Sequence, residues 1–217
     1  MILRYRNGAS GLIGKFLLLS LLLWPVHLFA QSADKAAMSA LMAPQPLPDV
    51  WLGRANAPVT LIEYASLNCP HCARFHKDVL PTLKTKYIDA GKLRFAMRDF
   101  PTNPFSNPND IALQAAVIAR CAGPRRSEII DVLFANQAGW VNEKEPARMI
   151  EVVQSAGLTR SEIASCLKER VLTDGIKTGK DMTRPFLIYV VPSFFVNGIR
   201  YELTLPADAI EKALPKR

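Results

Sequence analysis

Val59-Thr60-Leu61-Ile62-Glu63-Tyr64-Ala65-Ser66-Leu67-Asn68-Cys69-Pro70-His71-Cys72 is the stretch from which the fold can be read. Its first seven residues are β-prone and apolar on both faces, the pattern of a central strand covered from above and below. Pro70 then suits the first position of a helix, where its missing N–H costs nothing. Cys72, Phe75, His76, Val79, Leu83 and Tyr87 recur at helical spacing, and Pro81 is expected to kink that helix. Gly91 follows, and Leu93-Arg94-Phe95-Ala96-Met97-Arg98 reads as a second strand. The result is a β–α–β unit with a cysteine pair where strand turns into helix.

That position gives the pair a chemistry. A helix N-terminus presents unpaired N–H groups and a partial positive charge, and both stabilise a thiolate on Cys69. Cys72, one turn further in and more buried, would be its partner, and His71 between them can add positive charge or a hydrogen bond. Pro70 removes a competing donor and fixes the turn. A lowered thiol pKa stabilises the reduced dithiol, so the disulfide form becomes the oxidant. Glu63 has apolar neighbours on both sides, and a buried carboxylate there would suit proton traffic with the thiols. The alternative is an edge-strand acid in water.

Outward from this unit the chain changes character. Three prolines, Pro101, Pro104 and Pro108, mark a boundary, beyond which the pattern is helical. Helices are expected over Asp110 to Ala122, Ser127 to Ala138 with Ser127 as cap, Ala147 to Ala156, and Ser161 to Leu172. Thr159 and Ser161 before Glu162 look like cap residues with a first-turn acid. The Ile129, Val132, Leu133 and Phe134 stripe reads as core, and Arg125-Arg126 as a solvated turn. Strand signals return at Pro192-Ser193-Phe194-Phe195-Val196. Asn197-Gly198 then predicts a tight hairpin leading to Ile199-Arg200-Tyr201, and Pro206 opens a last helix through Ile210 and Leu214.

The N-terminal residues 1–30 read as a secretory signal peptide: basic Arg4, Arg6 and Lys15, the apolar run from Phe16 to Trp24, and a small residue, Ala30, at the expected cleavage point. An uncleaved anchor is the alternative. Residues 31–47, rich in Ala, Ser, Gln and Pro, read as a flexible leader. The 217-residue chain carries a formal charge of +8, and since the first 30 residues hold three basic groups and no acid, the remainder carries +5. No dense basic block or aromatic-spaced basic stripe accompanies that excess, which argues against a nucleic-acid partner.

All four cysteines, Cys69, Cys72, Cys121 and Cys166, follow the signal. An even count in an oxidising compartment suggests pairing, and sequence alone permits three pairings. Cys69 and Cys72 have the spacing of a redox dithiol, which leaves Cys121 and Cys166 for each other as a structural disulfide or as unpaired core thiols. A zinc site on Cys69, Cys72 and His76 offers three candidate ligands where a closed site wants four, so no metal is expected and His76 reads as a partly buried helix residue.

The run Glu63 to Cys72, with its Cys-Pro-His-Cys spelling, resembles the DsbA family of thioredoxin-fold oxidases. Arg98-Asp99-Phe100-Pro101, Ala119-Arg120-Cys121-Ala122 and Val191-Pro192-Ser193-Phe194-Phe195-Val196-Asn197-Gly198 extend the resemblance over roughly residues 48–214. It implies an α/β, thioredoxin-like fold, with 48–102 and 183–217 forming the thioredoxin-like part and 103–182 an inserted helical domain. It also implies Cys69 as nucleophile, Cys72 as resolving cysteine, Glu63 as the acid beneath the site, and Pro192 as a cis-proline presenting the Val191 backbone to an extended substrate. Related sequences often place Gly-Thr before this proline, where this chain has Val190-Val191. The implied activity is oxidation of thiols in reduced exported, periplasmic proteins by a monomer with no cofactor, recycled by a quinone-linked membrane partner of DsbB type. An isomerase or reductase of the same superfamily and a redox-inert peptide-binding module are the alternatives.

Overall fold

The computed structural model describes residues 36–102, 110–141 and 146–216. The signal peptide expected at 1–30, the start of the leader, and Pro104 and Pro108 lie outside the described residues.

Strand β1, Val59–Ala65, is buried at every position. The reason is its place in the sheet. β2, Leu93–Asp99, pairs with it in parallel on one side, and β3, Ser193–Val196, pairs antiparallel on the other. β4, Ile199–Glu202, closes the order β2-β1-β3-β4. The mixed sheet with flanking helices is the α/β, thioredoxin-like arrangement expected. The hairpin between β3 and β4 turns on Asn197 and Gly198, both at positive φ (48° and 95°), as a two-residue loop of the mirror type requires. Beyond β2, Leu52 exchanges two 2.8 Å backbone hydrogen bonds with Phe95. The adjacent Gly53 has φ +94° and leaves no room for a Cβ against the Leu93 carbonyl.

Four consecutive helical segments, Pro70–Arg74, Phe75–Val79, Leu80–Leu83 and Lys84–Ile88, run on as one helix, α1. Pro81 does not break it. The turn before the proline widens instead, so that the Leu80 N–H reaches the Phe75 carbonyl five residues back. This widening relieves the clash that a proline ring makes with the carbonyl four residues earlier.

Between β2 and β3 the chain forms α2 (Ile111–Cys121), α3 (Arg126–Ala135), α4 (Ala147–Ser155), α5 (Arg160–Cys166) and α6 (Arg170–Asp181). Asp110 caps α2 by accepting from the Leu113 N–H at 2.9 Å. Thr159 and Glu162 form a reciprocal capping box at α5, as their spacing suggested. Ser127 is not a cap, because α3 starts one residue before it and has no side-chain cap. The helix expected through Leu172 stops at Cys166, and the chain restarts it as α6. A disulfide joins Cys121 at the end of α2 to Cys166 at the end of α5, across 45 residues and a Cα–Cα distance of 5.8 Å. A loop of that length is worth about 4 kcal/mol on the chain-entropy account. The last helix, α7, is Ala209–Ala213, starting three residues after Pro206. Its Glu211 accepts from Lys86 and Tyr87 of α1 at 2.6 and 2.8 Å.

Two surface expectations are corrected. Residues 36–47, read as part of a flexible leader, are packed onto the body: 36–41 are helical, Leu41 is fully buried in the main core, and Leu47 packs with Leu113, Ala116, Val117 and Ile176. Their small and polar composition hid the two leucines that anchor them. Arg126, read as part of a solvated turn, is 2% exposed. Its guanidinium donates to the Met97 carbonyl at 3.1 Å and to Asp99 at 2.9 Å, so the charge is buried with a partner. Among the described residues, no helix is long and apolar enough to cross a membrane.

Candidate active site

Cys69 is the residue that caps α1, with extended backbone (φ −86°, ψ 119°). The approach to it is held from two sides. Its own N–H donates to the Ser66 carbonyl at 2.9 Å, and the buried Gln137 side chain donates to the carbonyls of Leu67 and Cys69 at 2.7 and 3.0 Å. Pro70 follows at the first helical position, as predicted. Cys69 is partly exposed and Cys72 is fully buried, and both are free thiols in this structure.

The two thiols are driven apart in acidity. A hydrogen bond from Cys72 and the backbone N–H groups of Cys72 and His71 outweigh burial and the Glu63 charge, and they bring the Cys69 thiol down to about 7. Burial first, then the hydrogen bond to Cys69 and the Glu63 charge, push the Cys72 thiol far up. The pair is therefore one accessible thiolate backed by a thiol that holds its proton. His71 acts on Cys69 through its backbone N–H; its imidazole is on the exposed surface.

The loop before β3 faces the pair. The Val191–Pro192 peptide bond is cis, and the Cys69 Sγ–H donates to the Val191 carbonyl at 3.4 Å. The Ser193 hydroxyl donates to the Val190 carbonyl at 2.7 Å, and the Leu203 N–H to the Pro192 carbonyl at 2.8 Å, which fixes the loop from inside and from the residue after β4. Tyr189 and Val190, just before it, are exposed apolar residues.

Glu63 lies in the middle of β1, opposite Met97 and Phe194, with no exposed surface. Its Oε2 is 2.8 Å from His76 Nε2. The minor zinc alternative made His76 a ligand beside the cysteines, but its ring is turned onto Glu63. Among the described residues, no group of three or more His, Cys, Asp or Glu side chains is placed to hold a metal. The structure thus brings Cys69, Pro70, Cys72, Val191 and Pro192 together at one end of the sheet, with Glu63 buried within β1 and its charge felt by both thiols. It adds Gln137 and the Glu63–His76 pair, while Cys121 and Cys166 stand apart in the helical insertion.

A mixed sheet with a cysteine pair at the start of the helix after β1, opposed by a cis-proline before β3, defines a thioredoxin-fold dithiol protein. The thioredoxin family's model matches residues 46–216, and the chain belongs to that family. A Rickettsia bellii protein carrying the name of a protein-disulfide oxidoreductase is 32% identical over 173 residues, covering 76% of this chain and 64% of that protein. The chain thus spans less than two thirds of that relative's length. The crystal structure of Wolbachia pipientis alpha-DsbA1 superposes with a TM-score of 0.70 at 27% identity, covering 80% of this chain and 94% of that one. Bacillus subtilis BdbD shares the fold at a TM-score of 0.65 and 20% identity, over 76% of this chain and 92% of its own. Within the thioredoxin family, these likenesses place the chain on the DsbA-like branch.

Proposed function

We propose that the chain is a protein thiol:disulfide oxidase acting on exported proteins, with Cys69 and Cys72 as its redox-active pair. The observation that carries disulfide exchange at this pair is the asymmetry of the two thiols, one accessible and lowered to about 7, the other buried and raised, while the oxidising direction rests on the Cys-Pro-His-Cys spelling. In the oxidised form a substrate thiolate attacks Cys69, and the Cys69–Cys72 bond breaks. Cys72 leaves and takes up a proton, because burial disfavours its thiolate. A second substrate thiolate then attacks the substrate sulfur of the mixed disulfide. The substrate departs oxidised and Cys69 departs as a thiolate stabilised by the helix start. Two electrons pass from substrate to enzyme. No metal or cofactor takes part.

The cis-Pro192 loop supports a substrate held as an added strand against the Val191 backbone, and the exposed Tyr189 and Val190 supply apolar contact beside it. The Cys121–Cys166 disulfide supports an oxidising compartment such as the periplasm, reached through a signal peptide cleaved after Ala30. The partners on this reading are reduced exported proteins and a quinone-linked membrane reoxidant of DsbB type, and the chain works as a monomer. The two parts 48–102 and 183–217 carry the site, and 103–182 forms the inserted helical domain. The name of the Rickettsia bellii relative agrees with disulfide chemistry.

One observation favours a second reading. A nucleophile near 7 matches the thioredoxin type, which reduces, better than the strongly acidic DsbA type. The reduction potential of the Cys69–Cys72 pair decides between them. Oxidase function expects a value nearer the roughly −120 mV of DsbA than the roughly −270 mV of thioredoxin. Oxidation of a reduced, unfolded secreted protein, lost in Cys69→Ser, is the accompanying expectation. Strong reshuffling of scrambled disulfides would instead assign an isomerase.

A further inference from the structure

The Cys72 step needs a proton inside the protein, and one buried group has no part in the scheme above. His76 is 7% exposed, in the first widened turn of α1. Its Nε2 is spent on Glu63. Its Nδ1 has no hydrogen-bond partner and lies 3.9 Å from Oδ1 of Asp131 on α3. The Asp131 side chain is 67% exposed. The two residues line a cleft of about 470 Å³ between α1 and α3, shared with Leu80, Pro81, Lys84 and Phe134. A polar chain therefore leads from the buried carboxylate to solvent through α1.

We propose that His76 and Asp131 form a proton route that connects Glu63 to solvent through this cleft and supplies the proton Cys72 takes up when the disulfide opens. The inference rests on the dithiol reading and deepens it. In the step, the Cys69–Cys72 bond breaks as an incoming thiolate bonds Cys69. The proton passes to Cys72 from the Glu63–His76 pair. His76 regains one from solvent by way of Asp131, whose exposed side chain closes the 3.9 Å gap by rotation. Reoxidation runs the same path in reverse. Both residues are positioning residues, since neither touches the sulfurs.

The charges around His76 fit the role. Glu63 faces it from β1 and Asp131 from α3, while Lys77 and Lys84 of α1 and Glu128 of α3 line the same cleft. Arg126 shares a smaller neighbouring pocket with it but is tied to Asp99. Phe75, Phe95 and Phe134 hold the ring by contact at 4.4 to 6.0 Å between centroids. Burial works against the imidazolium, yet Glu63 and Asp131 outweigh it and hold His76 at about 9. The route is therefore charged with its proton at neutral pH.

The test is single-turnover reduction of the oxidised protein by dithiothreitol between pH 6 and 10, in wild type, His76→Gln, His76→Ala and Asp131→Asn. Dithiothreitol reads the opening step whether or not the chain oxidises proteins, so failure of the oxidase reading leaves this result intact. At pH 7 the reduction rate is expected to fall about tenfold in His76→Gln and about threefold in Asp131→Asn. The fall of the wild-type rate near pH 9 should vanish in His76→Gln, and added imidazole should restore the His76→Ala rate through the cleft. Iodoacetamide labelling of reduced Cys69 should change less than about twofold, because that reaction needs no proton at Cys72. Reduction rates and pH profiles matching wild type in both Asp131→Asn and His76→Gln would overturn the route. So would a loss in His76→Ala that imidazole leaves untouched while Asp131→Asn behaves as wild type. Asp131 is a surface residue, so its variant reads the route even where a His76 substitution weakens folding.

Discussion

The reactivity of Cys69 is a property of one position, the capping residue of α1. Two backbone N–H groups and the Cys72 thiol converge there, and the charge of Glu63 acts in the opposite direction. The preference for thiolate therefore comes from hydrogen bonding, to which His71 contributes its backbone N–H. The sign of the pH effect follows. The folded value lies below that of a free thiol, so Cys69 contributes stability to the reduced protein that grows as pH rises through about 7 and is lost below it. Alkylation of the reduced protein is expected to be half-maximal near pH 7 with a single label on Cys69. Cys72 should stay unlabelled until the protein unfolds. Mass spectrometry of peptides after timed iodoacetamide pulses checks both statements, and labelling of Cys72 at a comparable rate would contradict the burial on which the asymmetry depends.

At the scale of elements, the approach to the dithiol is set by a residue far from it in sequence. Gln137, just after α3, bonds two carbonyls of the loop that leads into α1. Truncating it in Gln137→Ala strands the buried Leu67 acceptor and is expected to cost about 1–3 kcal/mol in urea unfolding. Hydrogen exchange at the amides of residues 66–69 should accelerate more than in the strands. Sequence could not supply this contact. Gln137 lies 68 and 70 residues from its partners, and an isolated glutamine after an amphipathic helix reads as solvated. Glu63, Cys69, Cys72 and the strand–helix junction were legible because they share one short stretch whose periodicity switches from strand to helix. The hairpin was legible because Asn197-Gly198 is a local turn signal. His76 and Asp131 were not, since their meaning depends on α3 packing beside α1. The cis form of Pro192 came from resemblance, as spacing alone says nothing about the isomer.

Across the whole molecule, the helical insertion and the sheet are locked by a buried charge cluster that the sequence showed only as scattered Arg and Asp residues. Asp99, at the end of β2, accepts from Arg120 of α2 at 2.6 Å and from Arg126 of α3 at 2.9 Å. Arg120 also donates to the Pro48 carbonyl at 2.6 Å, and Arg98 of β2 holds Asp49 at 2.7 and 3.0 Å. One end of the sheet and two helices thus meet at Asp99, and Arg120 and Arg98 tie the N-terminal arm to them. Burial raises the cost of ionising Asp99, but Arg126 and Arg120 outweigh it and hold its carboxyl below the usual carboxylate range. A depressed carboxylate contributes stability that is present at neutral pH and is lost as pH falls through its folded value. Asp99→Asn should therefore destabilise the protein by about 3–5 kcal/mol at pH 7, because Arg126 is left buried with its charge uncompensated. The penalty should shrink as pH falls below about 4, where the unfolded wild-type chain takes up a proton on Asp99 that the folded carboxylate still resists. Paired urea titrations of wild type and variant at pH 7 and pH 3 measure this difference. An equal penalty at both values would mean that Asp99 acts through shape alone, and the docking of the insertion would then rest on the apolar contacts around Ile118, Ile129 and Leu133.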